Sequence, residues 1–270
     1  MVNCLRCGNK LPHECVCNNT FDNKVERYLT QARQEWMTLK YLSETENPKL
    51  KLIAVIEPDG IKGIIKDVEI VLDNPEVKRV NPYKYILNYR IKYNGEGWLK
   101  EIIIHDPSGK PFTKFRQYVS ITKSTTEITT TATLEIESNI MCLTCGNKLP
   151  FECVCNDSFE SKLNRLTEQA KRMIYTVKYV EESENPRVKF EVKGYSGDLD
   201  VKFESDKPAI NKLRSHYYEL VYQFKFPFNV TITETAEYGY DGKPYSCRKN
   251  LNIKVDNDET VFFFVYLGVG

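Results

Sequence analysis

Hydrophobic positions along the chain change period after about forty residues, and the whole pattern then repeats. Between residues 21 and 42, Phe21, Val25, Tyr28, Leu29, Ala32, Trp36 and Leu39 recur at spacings of three and four, the period of one helix face. Phe159, Leu163, Leu166, Ala170, Ile174 and Val177 recur in the same way. Asn47-Pro48 and Asn185-Pro186 follow, and the residue before a proline is pushed out of helical conformation. Amphipathic helices are therefore expected over 20–42 and 158–180. After each helix the period falls to two. Tyr83, Tyr85, Leu87, Tyr89, Ile91 and Tyr93 alternate with mostly polar neighbours, as a half-buried strand requires. Further strand-like runs lie over 50–57, 64–72, 98–105, 112–121 and 127–136, and Asn94-Gly95 and Asp241-Gly242 supply hairpin-like turns. Six such strands in about 90 residues predict an antiparallel β-sandwich or barrel.

The repetition is specific. Cys4, Cys7, Cys15 and Cys17 recur as Cys142, Cys145, Cys153 and Cys155, an offset of 138 that also carries Phe21 to Phe159 and Tyr41 to Tyr179. Later the offset becomes 133: Tyr85, Leu87 and Tyr89 meet Tyr218, Leu220 and Tyr222, and Gly109-Lys110-Pro111 meets Gly242-Lys243-Pro244. Repeats of this kind mark duplicated units. The expectation is an α+β, β-rich chain made of two tandem copies. The first occupies 1–137 (cysteine module 1–18, helix 20–42, β-domain 49–137). The second occupies 141–270 (module 141–156, helix 158–180, β-domain 187–270).

The tract CLRCGNKLPHECVC and its partner CLTCGNKLPFECVC carry the clearest chemistry. Four cysteines spaced C-x2-C-x7-C-x-C suit one tetrahedral metal ion, and two tracts imply two structural zinc ions per chain. All four positions are thiolates, which leaves no open position for a substrate. Disulfides between the pairs and an iron centre are the alternatives. The tract resembles the short zinc-ribbon or zinc-knuckle modules that open many archaeal and bacterial proteins, with CxxCG followed by a Leu-Pro step. The likeness covers about 14 residues per copy, and the last pair is C-x-C where the common pattern has C-x-x-C. Such modules serve nucleic-acid contacts, protein contacts or stability alone, so the resemblance implies a metal and no single function.

Composition narrows the rest. Hydrophobic residues are 41% and charged residues 28%, and 17 Tyr with 13 Phe supply a core. The formal charge is +1. Two tetrathiolate zinc centres, each carrying −2, move it to about −3, which disfavours tight nucleic-acid binding. Lys24, Arg27, Arg33 and Lys40 lie at helical spacing among glutamates, the pattern of a solvated face. No apolar run reaches the roughly 18 residues of a membrane helix. The opening MVNCLRC has no signal-peptide core, so the expected compartment is the cytoplasm.

Candidate catalytic groups do not converge. His13 has Phe151 as its counterpart, His105 has Tyr238, and Cys247 has Lys114; His216 precedes a strand without an evident partner. Asn18-Asn19-Thr20 and Asn156-Asp157-Ser158 match glycosylation acceptors, as does Asn229-Val230-Thr231; the first two stand where helix N-caps belong. No phosphate loop, GxSxG or HExxH occurs, so no small-molecule substrate is identified and no enzyme is expected. The expected function is a non-catalytic binding or assembly protein with a protein partner or self-association. Nucleic-acid binding through the cysteine modules is the alternative.

One difference between the copies points to a partner. In the last strand, Thr129, Thr131 and Thr133 of the first copy become Phe262, Phe264 and Tyr266 of the second. Burying each phenylalanine is worth roughly 1.5–3 kcal/mol. The three aromatics are therefore expected to be covered, by the first copy, by the helix or by another chain.

Overall fold

The computed structural model describes residues 2–58, 68–73, 75–92, 97–121, 127–135 and 140–269. The chain divides into two compact units, Met1–Glu137 and Ser138–Gly270. Unit 1 holds α1 (Phe21–Glu44) and seven strands: β1 (Lys51–Pro58), β2 (Val68–Asp73), β3 (Glu76–Asn81), β4 (Lys84–Lys92), β5 (Gly97–His105), β6 (Pro111–Ile121) and β7 (Glu127–Glu135). Unit 2 holds α2 (Phe159–Glu182), β8 (Lys189–Ser196), β9 (Leu199–Ser205), β10 (Ala209–Arg214), β11 (Tyr217–Lys225), β12 (Val230–Tyr238), β13 (Pro244–Lys249), β14 (Lys254–Val255) and β15 (Thr260–Gly268). The class is α+β and β-rich. Among the described residues no helix is long and apolar enough to cross a membrane.

Both helices start where a side chain can satisfy a free amide. The Thr20 hydroxyl accepts from the Asn23 amide at 3.3 Å and the Ser158 hydroxyl from the Ser161 amide at 3.2 Å. The N-cap reading of those Asn-x-Ser/Thr sites therefore holds. Each helix runs two residues past its expected end before Asn-Pro stops it. The turn beyond is fixed by a tyrosine: Lys49 N donates to Tyr41 Oη and Arg187 N to Tyr179 Oη, both at 3.0 Å. The buried stripe is the periodic one, with Val25, Leu29, Ala32, Trp36 and Leu39 in α1 and Leu163, Leu166, Ala170, Ile174 and Val177 in α2.

Every strand pairing is antiparallel. Unit 1 has sheets ordered β2-β1-β5-β6 and β3-β4-β7; unit 2 has β9-β8-β12-β13, with β14 also on β12, and β10-β11-β15. Registers correspond between the units. Tyr85 faces Leu134 as Tyr218 faces Leu267, and Val77 faces Leu87 as Ile210 faces Leu220. In unit 2, Val177 and Val180 of α2, Phe190 of β8, Tyr222 and Phe224 of β11, Ile232 of β12 and Phe263 of β15 share one hydrophobic cluster. In unit 1, Leu52, Ile56, Tyr85, Leu87, Tyr89, Ile91, Leu99, Ile102, Phe112 and Leu134 are buried.

Among the described residues the strands of each unit outnumber the expected six. Strand β3 in unit 1 and strands β10 and β14 in unit 2 are additional. Both β3 and β10 expose five of their six residues. An edge strand wetted on both faces carries no alternation, so the period-two signal passes over it. Residues 64–67, Tyr93 and Ile136, expected in strands, lie outside the described residues.

Candidate metal centres

Each cysteine tract is a short knuckle held by its own backbone. Asn3 bridges Lys10 and Met141 bridges Lys148. Cys4 N donates to Asn9 O and Gly8 N to Cys4 O, both at 2.7 Å; Cys142 N donates to Asn147 O at 2.7 Å and Gly146 N to Cys142 O at 2.8 Å. This tight turn needs φ of +74° at Gly8 and +73° at Gly146, a conformation that glycine adopts without penalty. The Leu11-Pro12 and Leu149-Pro150 bonds are both cis.

The knuckle brings the sulfurs together. Cys4 and Cys17 Sγ lie 3.8 Å apart, and Cys7 and Cys15 3.7 Å; Cys142 and Cys155 are 3.8 Å apart, and Cys145 and Cys153 3.7 Å. Within each set all four sulfurs are within 4.8 Å of one another. Four thiolates about 2.3 Å from a central ion form a tetrahedron with edges of about 3.8 Å, whereas a disulfide needs about 2.05 Å. All nine cysteines are unpaired thiols, so the tracts hold metal-binding geometry and no disulfide.

Electrostatics favour thiolates at part of each set. Burial opposes the charged form of Cys7, but the Asn9 and Val16 amides and the neighbouring sulfurs lower its pKa to about 6. Cys145 is lowered to about 6 against the same burial by Asn147 and Val154. Burial and neighbouring sulfurs push Cys15 and Cys153 up to about 12. A bound cation reverses that repulsion, because a coordinated thiol is deprotonated outright.

The helix supplies a counter-charge that sequence reasoning misplaced. Arg27 Nη1 lies 3.2 Å from Cys4 Sγ, and Arg165 Nη2 lies 3.8 Å from Cys153 Sγ. Lys24 Nζ donates to Cys15 O at 2.6 Å and Lys162 Nζ to Cys153 O at 2.7 Å. Gln31 Nε2 reaches Asn3 O at 2.6 Å, and Gln169 Nε2 reaches Met141 O at 2.9 Å. From the sheet, Arg116 donates to Cys7 O and Lys249 to Thr144 O. Lys24 and Arg27, expected on a solvated face, are thus taken up by the tract. Their signal was present in the sequence: Lys24, Arg27 and Gln31 recur unchanged at the offset of the cysteines.

No family model matches the chain, and no curated protein or solved structure matches it significantly.

His13 packs its ring on Phe21 at 5.4 Å, as Phe151 packs on Phe159 at 5.5 Å. His105 sits in β5, opposite Lys51 of β1. His216 does have a partner: its Nδ1 lies 2.7 Å from Glu181 Oε1, which also accepts from Tyr218 Oη at 3.2 Å. That pair joins residues 35 apart in sequence, beyond the reach of any local pattern. Cys247 is buried in β13, and burial pushes its thiol up to about 12, the reverse of an activated nucleophile. Phe262, Phe264 and Tyr266 are 54%, 51% and 49% exposed. Helix α2 joins the core beside Val265 and Leu267, on the opposite face of β15.

Proposed function

We propose that each Cys4 set holds one structural zinc ion, by residues Cys4, Cys7, Cys15 and Cys17 and by residues Cys142, Cys145, Cys153 and Cys155. In this reading the chain is a tandem duplication of one unit: a zinc-ribbon-type knuckle, a helix and a two-sheet β-sandwich. Its role is non-catalytic, that of a binding or assembly protein. The observation that carries the reading is the anchoring of each tetrathiolate. Helix side chains and one basic sheet residue tie the knuckle to the fold in the same way twice. A closed, all-thiolate ion so anchored staples a small core and offers no site for substrate. Such an ion can contribute on the order of 10 kcal/mol to folding.

Binding to nucleic acid through the knuckles is disfavoured, because the bases nearest the sulfurs already serve the tracts. Fluorescence titration with single- and double-stranded oligonucleotides at physiological ionic strength tests this. Weak, salt-sensitive binding is expected; submicromolar binding would reverse the choice.

A further inference from the structure

Unit 1 holds a cavity of about 50 Å³ lined by residues of α1, β6 and β7. Leu39, Phe112, Phe115 and Leu134 give it apolar walls, and Glu35 lines it beside them. Glu35 is 8% exposed. Among the described residues no hydrogen bond or ion pair reaches its carboxyl. Burial raises its pKa to about 8, and the positive charge of the chain's amino terminus works against that rise. The cavity opens at exposed Thr133 and Glu135. Glu135 is already engaged there, by Lys84 at 2.9 Å.

The fold does not demand a carboxyl at this place. At the corresponding positions unit 2 has Met173 for Glu35, Met141 for Asn3 and Gly268 for Glu135. Tyr28 lies about two turns before Glu35 on α1, and burial together with Glu35 pushes it up to about 12. Its counterpart is Leu166. Unit 2 thus forms the corresponding helix and sheets with no acid or phenol at these positions. A buried carboxyl that finds no partner is destabilising. In unit 1 that cost is offset if a ligand completes the carboxyl.

We propose that this cavity of unit 1 binds a small primary amine in its ammonium form, with the cationic head on Glu35 and the carbon chain against Leu39, Phe112 and Phe115. Size sets the upper limit. A water needs roughly 10–15 Å³, so there is room for about three or four non-hydrogen atoms. Charge sets the sign, because an anion would meet Glu35 inside and Glu135 at the rim. An ammonium group compensates a carboxylate and donates up to three hydrogen bonds. A divalent metal ion needs several oxygen ligands at once, and among the described residues no cluster of three metal-ligating side chains includes Glu35. The inference goes beyond the zinc reading above and rests on the cavity, not on the metal.

Calorimetric titration of the full zinc-loaded chain tests it, with ethylammonium, ethanol and acetate as probes at matched ionic strength and zinc content measured on the same samples. Ethylammonium should bind at one saturable site with a dissociation constant of about 1 mM, the scale open to three non-hydrogen atoms. Ethanol, of the same size without the charge, should bind at least about tenfold more weakly, and acetate should not bind. Glu35→Gln keeps the shape of the side chain and should weaken ethylammonium at least about tenfold. Glu35→Asp keeps the carboxyl and should bind it more tightly than Glu35→Gln. A native chain that shows no saturable ethylammonium binding overturns the inference, and this comparison needs no variant to fold. Ethanol or acetate binding as well as ethylammonium overturns it too, as does a Glu35→Gln chain that binds like the native one. Normal zinc content in any of these cases leaves the metal reading standing.

Discussion

The two units agree around their sulfurs and disagree at their surfaces and at buried positions away from the sulfurs. Around the cysteines the sulfur spacings, the positive-φ glycine, the lysine and the glutamine all coincide. Away from them, a threonine face in β7 faces the same way as an aromatic one in β15. Buried Glu35 of α1 stands where α2 has Met173. Geometry that must close a tetrahedron tolerates little change. A sheet face or a cavity wall can change while the fold persists.

The largest effect should come from breaking one centre at a time. Cys7→Ser should remove one ion and unfold unit 1, and Cys145→Ser should do the same to unit 2, each at a cost approaching the order of 10 kcal/mol that a structural zinc contributes. Circular dichroism and metal analysis should report a similar loss for each. Unequal losses would show that one unit carries the other.

Glu35 should separate the units next. It lines a cavity of about 50 Å³ together with Leu39, Phe112 and Thr113. Burial raises its pKa to about 8 from the ordinary 4.5, so the folded state keeps a proton that the unfolded chain releases. The stability this supplies is complete below the ordinary carboxylate value and is lost as pH rises toward about 8. Glu35→Met copies unit 2. It should flatten that decline and raise stability at mildly alkaline pH by about 1–3 kcal/mol, read by denaturant titration across the range. Buried Glu237 of unit 2, whose pKa burial also raises, leaves a residual slope.

A smaller contrast lies beside the sulfurs. Arg27 is closer to a thiol than Arg165, which also pairs with Asp157 at 2.6 Å. Arg27→Ala should weaken zinc binding in unit 1 by roughly 10–100-fold, the scale of a lost outer-shell partner. Arg165→Ala should do less, because its charge is already partly spent on Asp157. Competition with a chromophoric chelator measures both.

What the sequence disclosed follows the reach of its signals. The cysteine spacing, the helix stripe from Val25 to Leu39 and the alternation of Tyr85, Leu87, Tyr89 and Ile91 are local and periodic, and all were legible. Strand β3 was not, because EVKRVN is wetted on both faces and has no period. The Arg27–Cys4 and Gln31–Asn3 contacts join residues 23 and 28 apart; neither distance leaves a pattern in one copy. Comparing the two units would have exposed them, since Lys24, Arg27 and Gln31 recur as Lys162, Arg165 and Gln169. The Glu181–His216 pair is still longer in range and has no counterpart in unit 1, where Ser43 and Tyr83 stand at the corresponding positions.

The central claim, that two tetrathiolate centres bind zinc, is tested most directly by elemental analysis of protein expressed without added metal, alongside mass spectrometry of the cysteine tracts. The account predicts two zinc ions per chain, falling to one in either single-cysteine variant, with every tract cysteine reduced after chelation. Zinc near zero, with disulfides inside Cys4–Cys17 and Cys142–Cys155, would contradict it.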